Sequence, residues 1–159
     1  MILLFITLIA SGIFITTTSA QLPAMVASHF AASGMPNGFM SHDAYVRFML
    51  AFALGVPLLV ALSSIALKNP NARINIPNRD YWLAPAHRAE TIAYLRRHIA
   101  WFGALIALFL AYVHWLVVLA NRTTPAILPS ADFKTGFLVF FMATALWGIT
   151  MVGKFFGRV

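Results

Sequence analysis

Residues Ile99–Ala120 read IAWFGALIALFLAYVHWLVVLA and contain no Asp, Glu, Lys or Arg. At 1.5 Å per residue a helix over this stretch reaches about 33 Å, enough to cross a hydrocarbon core about 30 Å thick. Backbone left unpaired in lipid costs several kcal/mol per group, so such a segment must be a helix or part of a closed barrel. Barrel strands alternate apolar and polar residues over about 10 positions. This stretch is continuous instead. Three more share its character: Met1–Thr18 (MILLFITLIASGIFITTT), Phe48–Ala66 (FMLAFALGVPLLVALSSIA) and Thr135–Gly153 (TGFLVFFMATALWGITMVG), again without a charged side chain. The expectation is an all-α polytopic membrane protein with four transmembrane helices and both termini cytoplasmic.

Composition agrees. The chain has 159 residues, of which 61% are hydrophobic and 9% charged, against roughly 25% charged in soluble domains. An ordinary soluble enzyme domain and a disordered chain are both excluded. Eleven Lys and Arg against four Asp and Glu give a net charge of +7. The basic residues flank apolar segments, which points to lipid headgroups and membrane insertion rather than nucleic acid. Without cysteine there is no disulfide, iron–sulfur ligation or thiol catalysis, and no cofactor is expected.

The first segment ends in the small residues Thr18-Ser19-Ala20 before Gln21, as a signal cleavage site would. A signal peptide should open with positive charge, yet no charged side chain precedes Asp43. The reading favours a retained helix; cleavage would leave three spans. Pro57, inside the second segment, removes a backbone donor and should kink that helix, as a packing feature or as a hinge.

Lys68, Arg73, Arg79, Arg88, Arg96 and Arg97 lie between the second and third segments, and Lys154 and Arg158 follow the fourth. The opposite side receives Arg47, Arg122 and Lys134. Positive loops stay cytoplasmic, so the loop at 67–98 and the C-terminus face inward, and the loops at 19–47 and 121–134 face outward. The chain divides into a helix-loop-helix at 1–68, a basic loop at 69–98 and a helix pair at 99–159, within one membrane domain at 1–159. The location implied is a membrane with the cytoplasm on its basic side.

Two polar loops carry the candidate site residues. In the outward one, Pro36-Asn37-Gly38 is a turn signal and Gly34 a second permissive point. Ser41 or His42 with Asp43 opens the next helix. His29, His42 and Asp43 are metal-type side chains, but no His-x-x-His or His-x-Glu pair fixes them on one face; loop docking, or a surface for a ligand or partner, fits them better. In the basic loop, Asn78-Arg79-Asp80 precede the apolar patch Tyr81-Trp82, and Pro85 starts a helix that can run into the third span. Arg79 and Asp80 are expected to tie to loop backbone or to Arg88 or Glu90, and the aromatic pair to dock the loop on the membrane face.

His114 lies within the third span. A histidine at that depth is costly and either packs against a polar neighbour or handles a proton or ligand. Tyr112, Ser63, Ser64, Thr144 and Thr150 are the expected partners. His98 is 16 residues away, so one helix cannot offer both imidazoles to one haem iron. Asn121-Arg122-Thr123 matches a glycosylation acceptor, a pattern too short to carry weight.

The outward loop, LPAMVASHFAASGMPNGFMS, sets Pro23, Val26, His29-Phe30, Gly34, Pro36-Asn37-Gly38 and Ser41 at a recurring spacing. In this it resembles the DUF1648 domain, the N-terminal membrane module of SdpI-like proteins. There a first helix is followed by a Pro…His-Phe…Gly-x-Pro-x-Gly loop and a second helix. The resemblance covers roughly residues 1–68. It implies a retained first helix, and the immunity and signalling roles of SdpI-like proteins are what it suggests for function. The C-terminal half shows no such match.

The functional expectation is therefore a small non-enzymatic membrane protein of signalling, immunity or accessory-subunit type, whose loops bind a ligand or partner. Membrane lipids and another membrane or cytoplasmic protein are the expected partners, with a homo-oligomer also admitted and nucleic acid excluded. The alternative is a membrane enzyme or a small transporter component. An enzyme would need two or more acid–base or metal groups at one point, and the four carboxylates, Asp43, Asp80, Glu90 and Asp132, are spread over three loops.

Overall fold

A computed structural model describes residues 1–157; Arg158, counted above among the positive charges, lies outside the described residues. Four helices are long and apolar enough to cross a membrane. They are α1 (Ile2–Ser19), α2 (His42–Ser63), α4 (Pro85–Ala120) and α5 (Ser130–Gly153). A short helix α3 (Arg79–Trp82) interrupts the basic loop, and strands β1 (Met25–Phe30) and β2 (Pro36–Ser41) join α1 to α2. The protein is thus a multi-span helical bundle of membrane-spanning character, with a hairpin at one end and the basic loop at the other.

α4 is the axis of the bundle, packing against α1, α2 and α5. Its 36 residues reach about 54 Å, well past a 30 Å core. Pro85 sits in its first turn, where the missing N–H costs nothing. The helix runs from there without a break, so the second half of the expected loop, Pro85 to His98, is a helical extension of the span. Small residues on α4 let its neighbours approach, as at membrane helix interfaces generally. Ala100, Ala104 and Ala107 are buried with Leu4, Leu8 and Ala61. A Cβ on Gly103 would stand 3.1 Å from the Pro57 carbonyl and 3.2 Å from Leu4 Cδ1. Pro57 is buried within an α2 that stays continuous from His42 to Ser63, so it serves as a packing surface. α5 differs: none of its residues is buried, and Phe137, Leu138, Phe141, Met142, Leu146 and Ile149 are all more than half exposed.

The segment read as an outward loop is an antiparallel hairpin. Met25 pairs with Ser41, Val26 with Met40, Ala27 with Phe39, His29 with Gly38 and Phe30 with Pro36. Ser28 bulges from β1 and Asn37 from β2, so the two irregularities offset each other. The turn lies at Ala31–Met35, closed by Gly34 N–H to Ala31 O and Ala31 N–H to Met35 O, each 2.9 Å. Gly34 holds φ at +85°, a conformation glycine alone adopts without strain. The expected turn at Pro36-Asn37-Gly38 is therefore displaced: Gly34 makes the turn, and those three residues open β2. Ser41 caps α2 as expected, its hydroxyl accepting from Ala44 N–H at 3.4 Å.

Candidate functional site

The sequence-derived candidates separate into three places. At the hairpin end, His29 Nδ1 lies 2.6 Å from Oδ1 of the bulged Asn37, a side-chain contact across the two strands. Gly38 faces that histidine so closely that a Cβ would stand 2.9 Å from His29 Cβ. Pro36 pairs with Phe30, and Gly34 joins the hairpin to the segment before α5: Leu128 N–H donates to Gly34 O at 2.9 Å. His42 turns elsewhere, its Nε2 3.0 Å from Ser19 O and its Nδ1 3.2 Å from Asp43 Oδ1. His29 is thus set apart from His42 and Asp43, and no group of three metal-type side chains assembles among the described residues.

At the basic end, Asn78 adopts φ +50° and donates from Nδ2 to Phe155 O at 3.0 Å. Trp82 meets Phe155 edge-on at 5.6 Å beneath the Lys154 ammonium, 5.3 Å from its ring. Tyr81 stacks on His87 at 4.3 Å. The polar ties are not the expected ones: Arg88 donates to Asn69 O at 2.9 Å, and Glu90 pairs with Lys154 at 2.9 Å. Arg79 and Asp80 are exposed and form no ion pair among the described residues. Trp82 therefore builds the cap by packing on the residues that follow α5, and Arg79 is what the cap presents.

Within the bundle, His114 is fully buried. The expected partners do not reach it. Ser63 and Ser64 lie at the far end of α2, and Tyr112 is spent on Asp132 O at 2.8 Å. His114 Nδ1 instead lies 3.0 Å from the Tyr45 hydroxyl, and Nε2 lies 2.8 Å from Thr18 Oγ1. Thr18 sends its hydroxyl proton to Phe14 O at 2.6 Å, so its oxygen is the acceptor toward Nε2–H. The network then assigns Nδ1 as acceptor from Tyr45 O–H. One neutral imidazole joins α1, α2 and α4, and every polar atom in the chain of bonds has a partner. Tyr45 also stacks on the ring at 5.8 Å.

Seven residues further along the chain, at the C-cap of α4 and on the same helix face, Asn121 does the corresponding work for the hairpin. Its Oδ1 accepts from Ala27 N–H at 2.9 Å, and its Nδ2 donates to Ala27 O at 3.0 Å and Val117 O at 2.9 Å. The side chain acts as a one-residue strand on the open edge of β1. Sequence reasoning passed over it because the only pattern visible was the glycosylation triplet; the amide nitrogen such a modification needs is bonded to two carbonyls. Arg122 donates to Gln21 Oε1 and lies 5.0 Å from the Trp115 ring, closing the same end.

Between β1, α4 and the start of α5 lies a cleft of about 380 Å³. Phe30, Val113, Val117 and Phe133 line it, with His29 and Lys134 among its polar residues. Comparison of the chain with protein-family models, with curated proteins and with solved structures finds no match.

Proposed function

We propose that the chain is a non-enzymatic inner-membrane protein of bacteria, of signalling, immunity or accessory-subunit type, which engages a partner through its loops. One observation carries this reading: the bundle holds still a hairpin with an apolar outer face. Met25 and Phe39 are 60% and 58% exposed. Met25 stands opposite Ser41, two residues from Phe39, so the two side chains are diagonal neighbours on one face of the pair. Rigid, exposed apolar side chains rimmed by polar residues mark interaction surfaces. The likeness to the DUF1648 module falls on the same hairpin: Gly34, Asn37 and Gly38 give it its shape and His29 its cross-strand bond.

The charge distribution supports an outward hairpin and an inward basic loop, with eight basic residues on one side against three on the other. Arg79 would then meet a cytoplasmic partner, and Met25 and Phe39 one outside. The test is affinity isolation of the full chain in mild detergent, comparing wild type with Phe39→Asp and Arg79→Gln. Each variant should insert and fold as wild type does while losing a defined, identified co-purifying protein. Recovery of the same proteins in the same amounts from all three forms would overturn the reading.

A further inference from the structure

Lys134 sits where two apolar clefts meet. One is the cleft under β1. The other, about 420 Å³, runs along α5 past Phe137, Leu138 and Phe141. Phe133 and Lys134 line both. The walls are otherwise mostly apolar, with Ser28, His29 and Ser130 the other polar residues on the first cleft, and the lysine forms no ion pair among the described residues. The nearest carboxylate in sequence, Asp132, is two residues earlier and so about 200° round the helix; it lines neither cleft.

A cation between two adjoining apolar clefts matches one kind of molecule in a bilayer: a two-chain phospholipid with net negative charge. We propose that Lys134 and Phe133 form a binding site for an anionic phospholipid, with one acyl chain under the hairpin, the other along α5, and the headgroup phosphate on the lysine. Acyl chains gain little by leaving other acyl chains for a protein groove, since both surroundings are apolar. The two clefts therefore fix the shape of the ligand, and the lysine fixes its charge. The site is separate from the apolar hairpin face, and losing either would leave the other in place.

The full chain in nanodiscs or mixed micelles, examined by native mass spectrometry, tests this. The probes are phosphatidylglycerol, phosphatidylcholine of the same chains, and oleate. Wild type should retain one phosphatidylglycerol in preference to phosphatidylcholine. Lys134→Gln should cut that preference about fivefold, the effect of one basic residue near an anionic surface. Lys154→Gln, at the opposite end and paired with Glu90, should leave it unchanged. Equal retention of the two phospholipids by wild type would overturn the proposal. So would an unaltered preference in Lys134→Gln, or a preference for oleate over phosphatidylglycerol.

Discussion

Replacing Asn121 by alanine should free β1 from the end of the bundle. The carboxamide holds both backbone groups of Ala27, at 2.9 and 3.0 Å, and Ala27 is 1% exposed. A buried backbone group stripped of its partner costs about 1–3 kcal/mol; two such groups give about 2–6 kcal/mol. Val117 O adds little, because it also accepts from Asn121 N–H at 3.1 Å. Water entering the space left by the side chain offsets part of the loss, so the expected cost is about 2–4 kcal/mol. Amide hydrogen exchange over residues 25–30, in detergent or nanodiscs, reads this directly: Ala27 should exchange about 30-fold faster or more. Asn121→Asp separates hydrogen bonding from space filling. It keeps the shape but sets a second oxygen against the carbonyls of Ala27 and Val117, so it should loosen β1 at least as much as alanine does. Exchange at Ala27 within threefold of wild type in Asn121→Ala, or wild-type behaviour of Asn121→Asp, would refute the reasoning.

Tyr45→Phe leaves His114 Nδ1 without its donor and should cost about 1 kcal/mol, within the range measured for bonds between membrane helices; a double-mutant cycle with His114→Leu should return a coupling energy of that size, and additive costs would deny the bond. A Cβ on Gly136 would overlap the Tyr112 ring, so Gly136→Ala should force the tyrosine off Asp132 O and loosen the first turns of α5, seen as faster exchange there with α1, α2 and the hairpin unchanged. The purified protein should carry α1, as an intact-mass measurement will show, because loss of residues 1–20 would take Leu4, Leu8 and Ile15 out of the core and Thr18 away from His114; a mature chain beginning at Gln21 would contradict this.

The four spans were legible because each needs only length and the absence of charge, and α2 and α4 began where Ser41 and Pro85 said they would. The hairpin was not legible. Its strands are built from Ser, Ala, Gly, Asn and Pro as much as from Val and Phe, and two bulges break the alternation that would have marked them. Two turn signals competed, and the local preference of Pro-Asn-Gly does not reveal that Gly34 is the residue with positive φ. The partners of the buried polar side chains were missed in a consistent way. His114 was recognised as a buried polar group, but its partners were sought from composition, and Tyr45 and Thr18 reach it only because of how three helices align. Asn121 looked like a modification signal because sequence shows the triplet and not the strand edge 94 residues earlier that the amide completes.

His114 on α4 and Asn121 at its C-cap are seven residues apart, close to two turns, so they project from the same face about 10 Å apart along the axis. That face meets α1 and α2 through the imidazole and the hairpin through the carboxamide. Each is a polar group in surroundings where an unpaired one is expensive, so each accepts only the arrangement that satisfies it. Apolar packing in a bilayer tolerates sliding, because a leucine against lipid is nearly as well placed as a leucine against leucine; these two side chains remove that freedom at the hairpin end of the bundle. α5 joins α4 in both ways, through stacked rings, Phe109 on Phe140 at 4.3 Å and Phe102 on Trp147 at 4.4 Å, and through hydrogen bonds from Tyr94 to Thr150 O, Tyr112 to Asp132 O and Trp147 Nε1 to His98 O at 2.7–2.9 Å, so polar contacts fix all four long helices and the hairpin around α4.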